Sequence, residues 1–414
     1  MKAVFFLRHN NDIDHIVPVI YKWLSNETNQ AGLIILTENK ILNDFRLLHL
    51  QEKYETIQMF HIEKFYNEKY IIEKNRHKIF KILFKVVKII KNWKAEHTNV
   101  IHSAINAVRL VKYFTKSDEK IAFIFDWINI ESQFAQVKPI IDYARSLGHA
   151  VISLPHGDAA LLDLYWKKNT EISTHSNDLC KNFDYVVVPN KYCTSRYKKY
   201  LDDDRIKILG SPRYNEYWIE IIQKIVPNYN LFSNDNSVKI VFFLRSMSYS
   251  IFWDEIVITI QLLFEVFDIK MILVPHPRSN KKDQIKIDNY FNSLKQNKNF
   301  MLIKDPVHAS VLIKWADIIL DIGNSTVYEA VKIKKPVLEL EYLSSISSIL
   351  SKYFSKSVVL CRDDLLKKIR ELKNSDFLGF YQNDEFEKFN HDVIEQNRDP
   401  LGRYVEFIEN CIKD

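Results

Sequence analysis

The feature that most constrains this chain is an alternation. Short runs rich in β-branched and aromatic residues recur along it, separated by stretches long and periodic enough for helices. Strands joined through helices pair in parallel, because a parallel pair needs a crossover of about a dozen residues or more, so the spacing selects an α/β fold. A first series of strands is expected at Ala3 to Leu7, Leu33 to Leu36, Ile121 to Phe125, Ala150 to Leu154, Tyr185 to Val188 and Ile206 to Leu209. A second is expected at Lys239 to Leu244, Lys270 to Val274, Met301 to Ile303, Ile318 to Leu320, Val337 to Leu340 and Val358 to Leu360. Each series opens on the letters FFLR, at Phe5 to Arg8 and again at Phe242 to Arg245, which is consistent with two similar halves.

A chain of 414 residues exceeds what one hydrophobic core usually serves, and two domains follow. Residues 1–225 are read as an N-terminal Rossmann-like domain and 238–380 as a second, with a polar, proline-bearing linker at Val226 to Ser237. Residues 381–414 read as a helical segment that packs back across the domains. The 47% hydrophobic content excludes a disordered chain. Cys180, Cys193, Cys361 and Cys411 form no CxxC pair and no cluster with zinc spacing, which favours a reducing, cytoplasmic setting. The apolar run at the N-terminus ends too soon for a signal peptide or a membrane span. A net charge of +6 is modest for this length, and no nucleic-acid partner is expected from it. Its distribution is more informative, since Lys74, Lys78, Lys81, Lys85 and Lys88 share one face of an amphipathic helix. Such a face serves either as an ordinary solvated surface or as a contact for anionic lipid on the inner face of a membrane.

The glycines narrow the chemistry. The chain has only 7, and none are spaced as GxGxxG or GxxxxGK[ST], so dinucleotide-fingerprint enzymes and Walker-type kinases are excluded. Gly157, Gly210 and Gly323 stand at or just beyond expected strand ends, where open α/β sheets bind their ligands. In VISLPHGDAA, His156 is a candidate general base with Asp158 beside it to orient the imidazole. In ILGSPRYNEYW, Ser211 and Arg213 follow a strand, a pattern shared by a structural turn and an anion contact. Arg245, His276 and Arg278 lie at strand ends of the second half and suit a diphosphate, because guanidinium groups chelate phosphate oxygens. In DIGNSTVYEA, Asp321 closes a strand, Gly323 turns, and Asn324, Ser325 and Thr326 lead into a helix. Thr326 to Glu329 also reads as a capping box. Asp14, His15 and Asp126 are reserve candidates at strand ends of the first half. The run Asp202 to Asp204 reads as a solvated loop, and neither a metal nor a cofactor is expected.

The strings NNDIDHIVP, PHGD, GSPRYNEYW, HPR and DIGNSTVYEA, in this order, resemble the bacterial surface-carbohydrate proteins related to CDP-glycerol glycerophosphotransferases. That family is similar to GT-B glycosyltransferases, in which two Rossmann-like domains face each other across a cleft. The resemblance implies His156 as base, His276 near the donor phosphates, and Ser325 and Thr326 as their hydroxyl contacts. DIGNS replaces the DYSS-like string usual in the polyol-phosphate enzymes, which makes a sugar as suitable a transferred group as glycerol phosphate. The expectation is a transferase moving a sugar or polyol phosphate from a nucleotide-sugar or CDP-polyol donor to a surface polysaccharide or its lipid-linked acceptor. Arg213, Arg245, His276, Arg278, Gly323, Asn324, Ser325, Thr326 and Glu329 would serve the donor, and His156 with Asp158 the acceptor. The alternatives are a non-hydrolysing nucleotide-sugar epimerase and a non-catalytic nucleotide-binding assembly protein.

Overall fold

The computed structural model describes residues 1–8, 10–36, 39–66, 104–115, 119–126, 131–155, 177–232, 236–245, 251–276, 281–303, 307–344, 348–395 and 399–413. They group into two compact units. The first holds the described residues up to 213 together with those from 399 onward, and the second holds those from 214 to 395.

The first unit is built on a parallel sheet of β1 (Lys2–Leu7), β2 (Gln30–Ile35), β3 (Ile57–His61), β4 (Ala122–Asp126), β5 (Ala150–Leu154), β6 (Tyr185–Val188) and β7 (Ile206–Ile208). Their order across the sheet is β3-β2-β1-β4-β5-β6-β7. The central strands are apolar on both faces, as expected of parallel strands covered on two sides. Val4 and Phe6 enter a core with Phe123, Phe125 and the residues Leu110, Val111 and Phe134. The rings of Phe6 and Phe125 stack with centroids 4.2 Å apart. The helix Asn10–Leu24 packs on β1 and β2 and also meets the last helix, Pro400–Lys413, which contacts β4.

The second unit carries β8 (Val238–Phe243), β9 (Ile269–Val274), β10 (Phe300–Leu302), β11 (Ile318–Asp321), β12 (Val337–Leu340) and β13 (Val358–Val359). This sheet is also parallel, in the order β10-β9-β8-β11-β12-β13. All the strands expected from sequence are present within a few residues of their expected bounds. β3 was not among them. It is an edge strand whose residues are mostly half-buried, so its sequence, IQMFH, lacks the continuous apolar run of a central strand.

The units change at points other than those the composition suggests. The helix Glu216–Ile225, expected to close the first domain, belongs to the second unit, because its buried face of Trp218, Ile219 and Ile222 packs there against the helix Ala309–Trp315. The Tyr214 hydroxyl, just ahead of it, donates to the Ser325 carbonyl at 2.6 Å. The C-terminal segment divides in two. Phe389 lies among Tyr328, Tyr353 and Phe354 of the second unit, whereas Pro400–Lys413 joins the first. There the buried Tyr404 hydroxyl donates to the Gly210 carbonyl at 3.0 Å, and Arg403 donates to the Ile208 carbonyl at 2.7 Å.

In both sheets the chain direction of winding reverses beside the first strand, between β1 and β4 and between β8 and β11. Such a reversal opens a crevice outside the carboxyl ends of the strands, where ligands of doubly wound folds bind. The lysine face from Lys74 to Lys88 lies outside the described residues. Among those described, no helix is long and apolar enough to cross a membrane.

Tyr404→Phe is expected to lower the stability of the first unit by about 1–2 kcal/mol, because the buried Gly210 carbonyl loses its donor. Tyr404→Ala should lower it by about 3–5 kcal/mol, since it also leaves a cavity. Urea unfolding of the two variants beside the wild type measures both.

Candidate functional site

At the switch point of the second sheet, the loop after β11 is tied down by the carboxylate that ends the strand. Asp321 is fully buried and accepts the backbone N–H groups of Gly323 and Asn324, each at 2.8 Å, and the Asn324 side-chain amide at 2.7 Å. That amide also donates to the Phe243 carbonyl at the end of β8, 3.1 Å away, so one side chain stitches the two strand ends together. Gly323 has φ +97°, a backbone conformation that disfavours a side chain. A Cβ there would also stand 2.6 Å from Nη1 of Arg245, the buried arginine that follows β8. The turn, the glycine and the guanidinium form one packed unit. Burial pushes the Asp321 carboxyl up to about 6, and the hydrogen bonds from Asn324, Gly323 and Ile322 act against that rise.

The residues beyond the turn depart from the capping box read in the sequence. Thr326 sits in the helical region of backbone space and makes no side-chain cap for the helix Val327–Lys332, so its hydroxyl is not committed to that turn. Glu329 is buried in the same helix. Ser325 is partly exposed and offers its carbonyl to Tyr214. His276 is partly exposed two residues beyond β9. The structure therefore gathers Arg245, Asp321, Gly323 and Asn324 at one switch point. Arg278 lies outside the described residues, as do His156, Gly157 and Asp158 of the first half.

The first unit carries a related arrangement. Arg8 follows β1 and Asp126 closes β4, and Nε of Arg8 donates to the two carboxylate oxygens at 2.9 and 3.0 Å while Nη2 reaches Oδ2 as well. The backbone N–H of Arg8 donates to Asp12 at 2.7 Å, fixing the start of the helix Asn10–Leu24 against the strand end. Burial opposes the Arg8 charge, but the hydrogen bonds and charge of Asp126 outweigh it and hold the guanidinium above its ordinary value. Beside this pair, Asp14 bridges Arg46 and, at 3.1 Å, Arg213, with Asp44 completing the cluster. Arg213, grouped by sequence with the donor contacts, belongs to the first unit and pairs there with Asp14. His15 is buried on the same helix. Arg8 was not singled out as a site residue, although the repeated FFLR string already placed an arginine at the end of the first strand in both halves. Among the described residues, no group of three or more His, Cys, Asp or Glu side chains is placed to hold a metal ion.

These two switch points belong to a pair of Rossmann-like domains of the GT-B-like class. The chain is similar over its full length to solved nucleotide-sugar enzymes of that class. UDP-GlcNAc 2-epimerase from Neisseria meningitidis, bound to UDP-GlcNAc, matches at 14% identity and a TM-score of 0.57 over 100% of both chains. The 2-epimerase from Methanocaldococcus jannaschii matches at 15% identity and 0.58 over 99% of this chain and 100% of that one. Anabaena HepE in complex with UDP-glucose matches at 9% and 0.55 over 100% and 99%. No family model and no curated protein matches the chain. At these identities the likeness establishes the fold. It also corrects the reading of the chain as a transferase building a surface polymer: the solved structures aligned along the whole chain include a run of UDP-GlcNAc 2-epimerases, which favour the epimerase alternative. Where they are described, the short strings that resemble CDP-glycerol glycerophosphotransferases fall just beyond strands or at the starts of helices, positions that unrelated families of one fold share.

Arg8→Ala is expected to destabilise the first unit by about 3–5 kcal/mol, because it leaves Asp126 buried and ionised without its partner. Chemical denaturation reads this directly, and Asp126→Asn in the same background should restore part of the loss. Gly323→Ala should lower the stability of the second unit by about 1–3 kcal/mol through backbone strain and contact with Arg245.

Proposed function

We propose that this chain is a nucleotide-sugar epimerase that holds the diphosphate of its substrate at the switch point of the second unit. The observation that carries the reading is the packing of Arg245 against the Asp321–Asn324 turn, in a fold shared along its whole length with UDP-sugar enzymes. A guanidinium bonds two phosphate oxygens at once, and here it is held in place before any ligand arrives. Ser325 and Thr326 carry hydroxyls next to the turn, His276 follows β9, Glu329 lies in the helix Val327–Lys332, and Arg278 is a further donor by its place in the sequence. Each is a candidate contact for the phosphates or the nucleoside.

Inverting a carbon of the sugar requires a proton to leave one face and another to arrive at the opposite face, so two proton-carrying groups are needed. The candidates are the titratable groups singled out in the sequence. Asp126, buried against Arg8, is one of them. His156, with Asp158, and the pair Asp14 and His15 supply further carriers.

Incubating the purified protein with UDP-GlcNAc and following the sugar ring protons by NMR should reveal its C2 epimer. Arg245→Ala should weaken UDP binding about 10- to 100-fold, as expected for loss of hydrogen bonds to a charged group. Absence of both UDP binding and an epimer would sink the proposal, and unchanged affinity in Arg245→Ala would move the phosphates elsewhere.

A further inference from the structure

Glu339 is a carboxyl group in a position built for an apolar side chain. It lies on β12, is 1% exposed, and is the register partner of Asp321 on β11, so both side chains leave the same face of the sheet from adjacent strands. The corresponding partner of Asp126 in the first sheet is Leu154. Neither oxygen of Glu339 has a hydrogen-bond partner among the described residues. The groups that act on it most are Asp321 from β11, Glu341 from the turn beyond β12, and Ser348, which faces it outside hydrogen-bond geometry. Asp321 in turn meets the N–H groups of Ile322, Gly323 and Asn324 and the Asn324 amide, with Arg245 against the turn they form.

Two ionised carboxylates on neighbouring strands in a buried layer repel strongly, and a single proton on one of them removes the repulsion. The pair is unequal. Asp321 receives several N–H donors and is the better seat for the charge, whereas Glu339 receives none and is the better seat for the proton. We infer that Glu339 is kept as a neutral acid and acts as a positioning residue, its proton allowing Asp321 to stay ionised and to hold the Asp321–Thr326 loop in shape beside Arg245. In accord with this, burial and the Asp321 charge push the Glu339 carboxyl well above the usual range. The loop's part in nucleotide binding rests on the function proposed above. The protonation of Glu339 does not.

The folded chain binds this proton more tightly than the unfolded chain. The stability it contributes is therefore complete below the ordinary carboxylate range, near about pH 4, and is lost as pH rises towards the folded value. The test compares wild type with Glu339→Gln, which keeps the shape and cannot ionise, by thermal unfolding between about pH 5 and 9. The wild-type Tm should fall relative to the variant by roughly 3–5 °C per pH unit. In calorimetric titrations with UDP, wild-type affinity should decline at the alkaline end while that of Glu339→Gln stays level. Asp321→Asn should weaken UDP binding about tenfold or more at neutral pH, since the ionised acceptor of the loop is gone. Parallel Tm curves for wild type and Glu339→Gln would overturn the inference, as would a Glu339→Gln protein less stable at every pH. If UDP binds none of these proteins while the Tm curves diverge as stated, the inference about Glu339 stands and the proposed function fails.

Discussion

Both units depend on a buried aspartate at the end of the strand that flanks the switch point. A carboxylate in such a place must be compensated, since an isolated buried charge is far more expensive than any contact around it can repay. In the first unit the compensation is a guanidinium, with Arg8 reaching across from β1 to Asp126. In the second it is the loop itself, whose N–H groups turn inward to Asp321. The same requirement thus produces two outcomes. An ion pair fastens β1 to β4, and a tight turn at Gly323 packs against Arg245.

The two strand ends differ in what meets the buried aspartate. Arg8 directs its hydrogen bonds at a partner inside the protein, and Asp12 secures its backbone from the following helix. The turn of the second unit meets its own aspartate with backbone N–H groups and the Asn324 amide. The epimerase reading draws on that contrast, and it is compatible with a fold that hosts several chemistries on similar strand ends.

Much of the architecture was legible because central strands of a parallel sheet are buried on both faces and read as unbroken apolar runs, as in AVFFL, IAFIF and IVFFL. The edge strand β3 was not, since Gln58 and His61 interrupt its pattern where one side meets solvent. The division between units was misplaced for a different reason. A polar, proline-bearing stretch marks a loop, but which unit the preceding helix joins depends on where Trp218 and Ile222 find their contacts, and those are distant in sequence. At the site, the glycine and arginine positions were readable from strand ends. The partner of each charge was not: Arg213 with Asp14 and Arg8 with Asp126 are pairs set by tertiary structure over long separations. The transferase reading failed at the same level, because the motifs it used describe where a nucleotide fits rather than what is done to it.

The helix Pro400–Lys413 gives the chain an order of assembly. The first unit holds the N-terminal strands, but Tyr404 and Arg403, near the other end of the chain, bond the carbonyls of Gly210 and Ile208 at its margin and cover one side of it. During synthesis, the first unit is therefore incomplete until residues 400–413 have left the ribosome. The described residues of the second unit, from Tyr214 to Glu395, all precede that helix. A chain cut short by a single helix would lose the closure of the part that was made first.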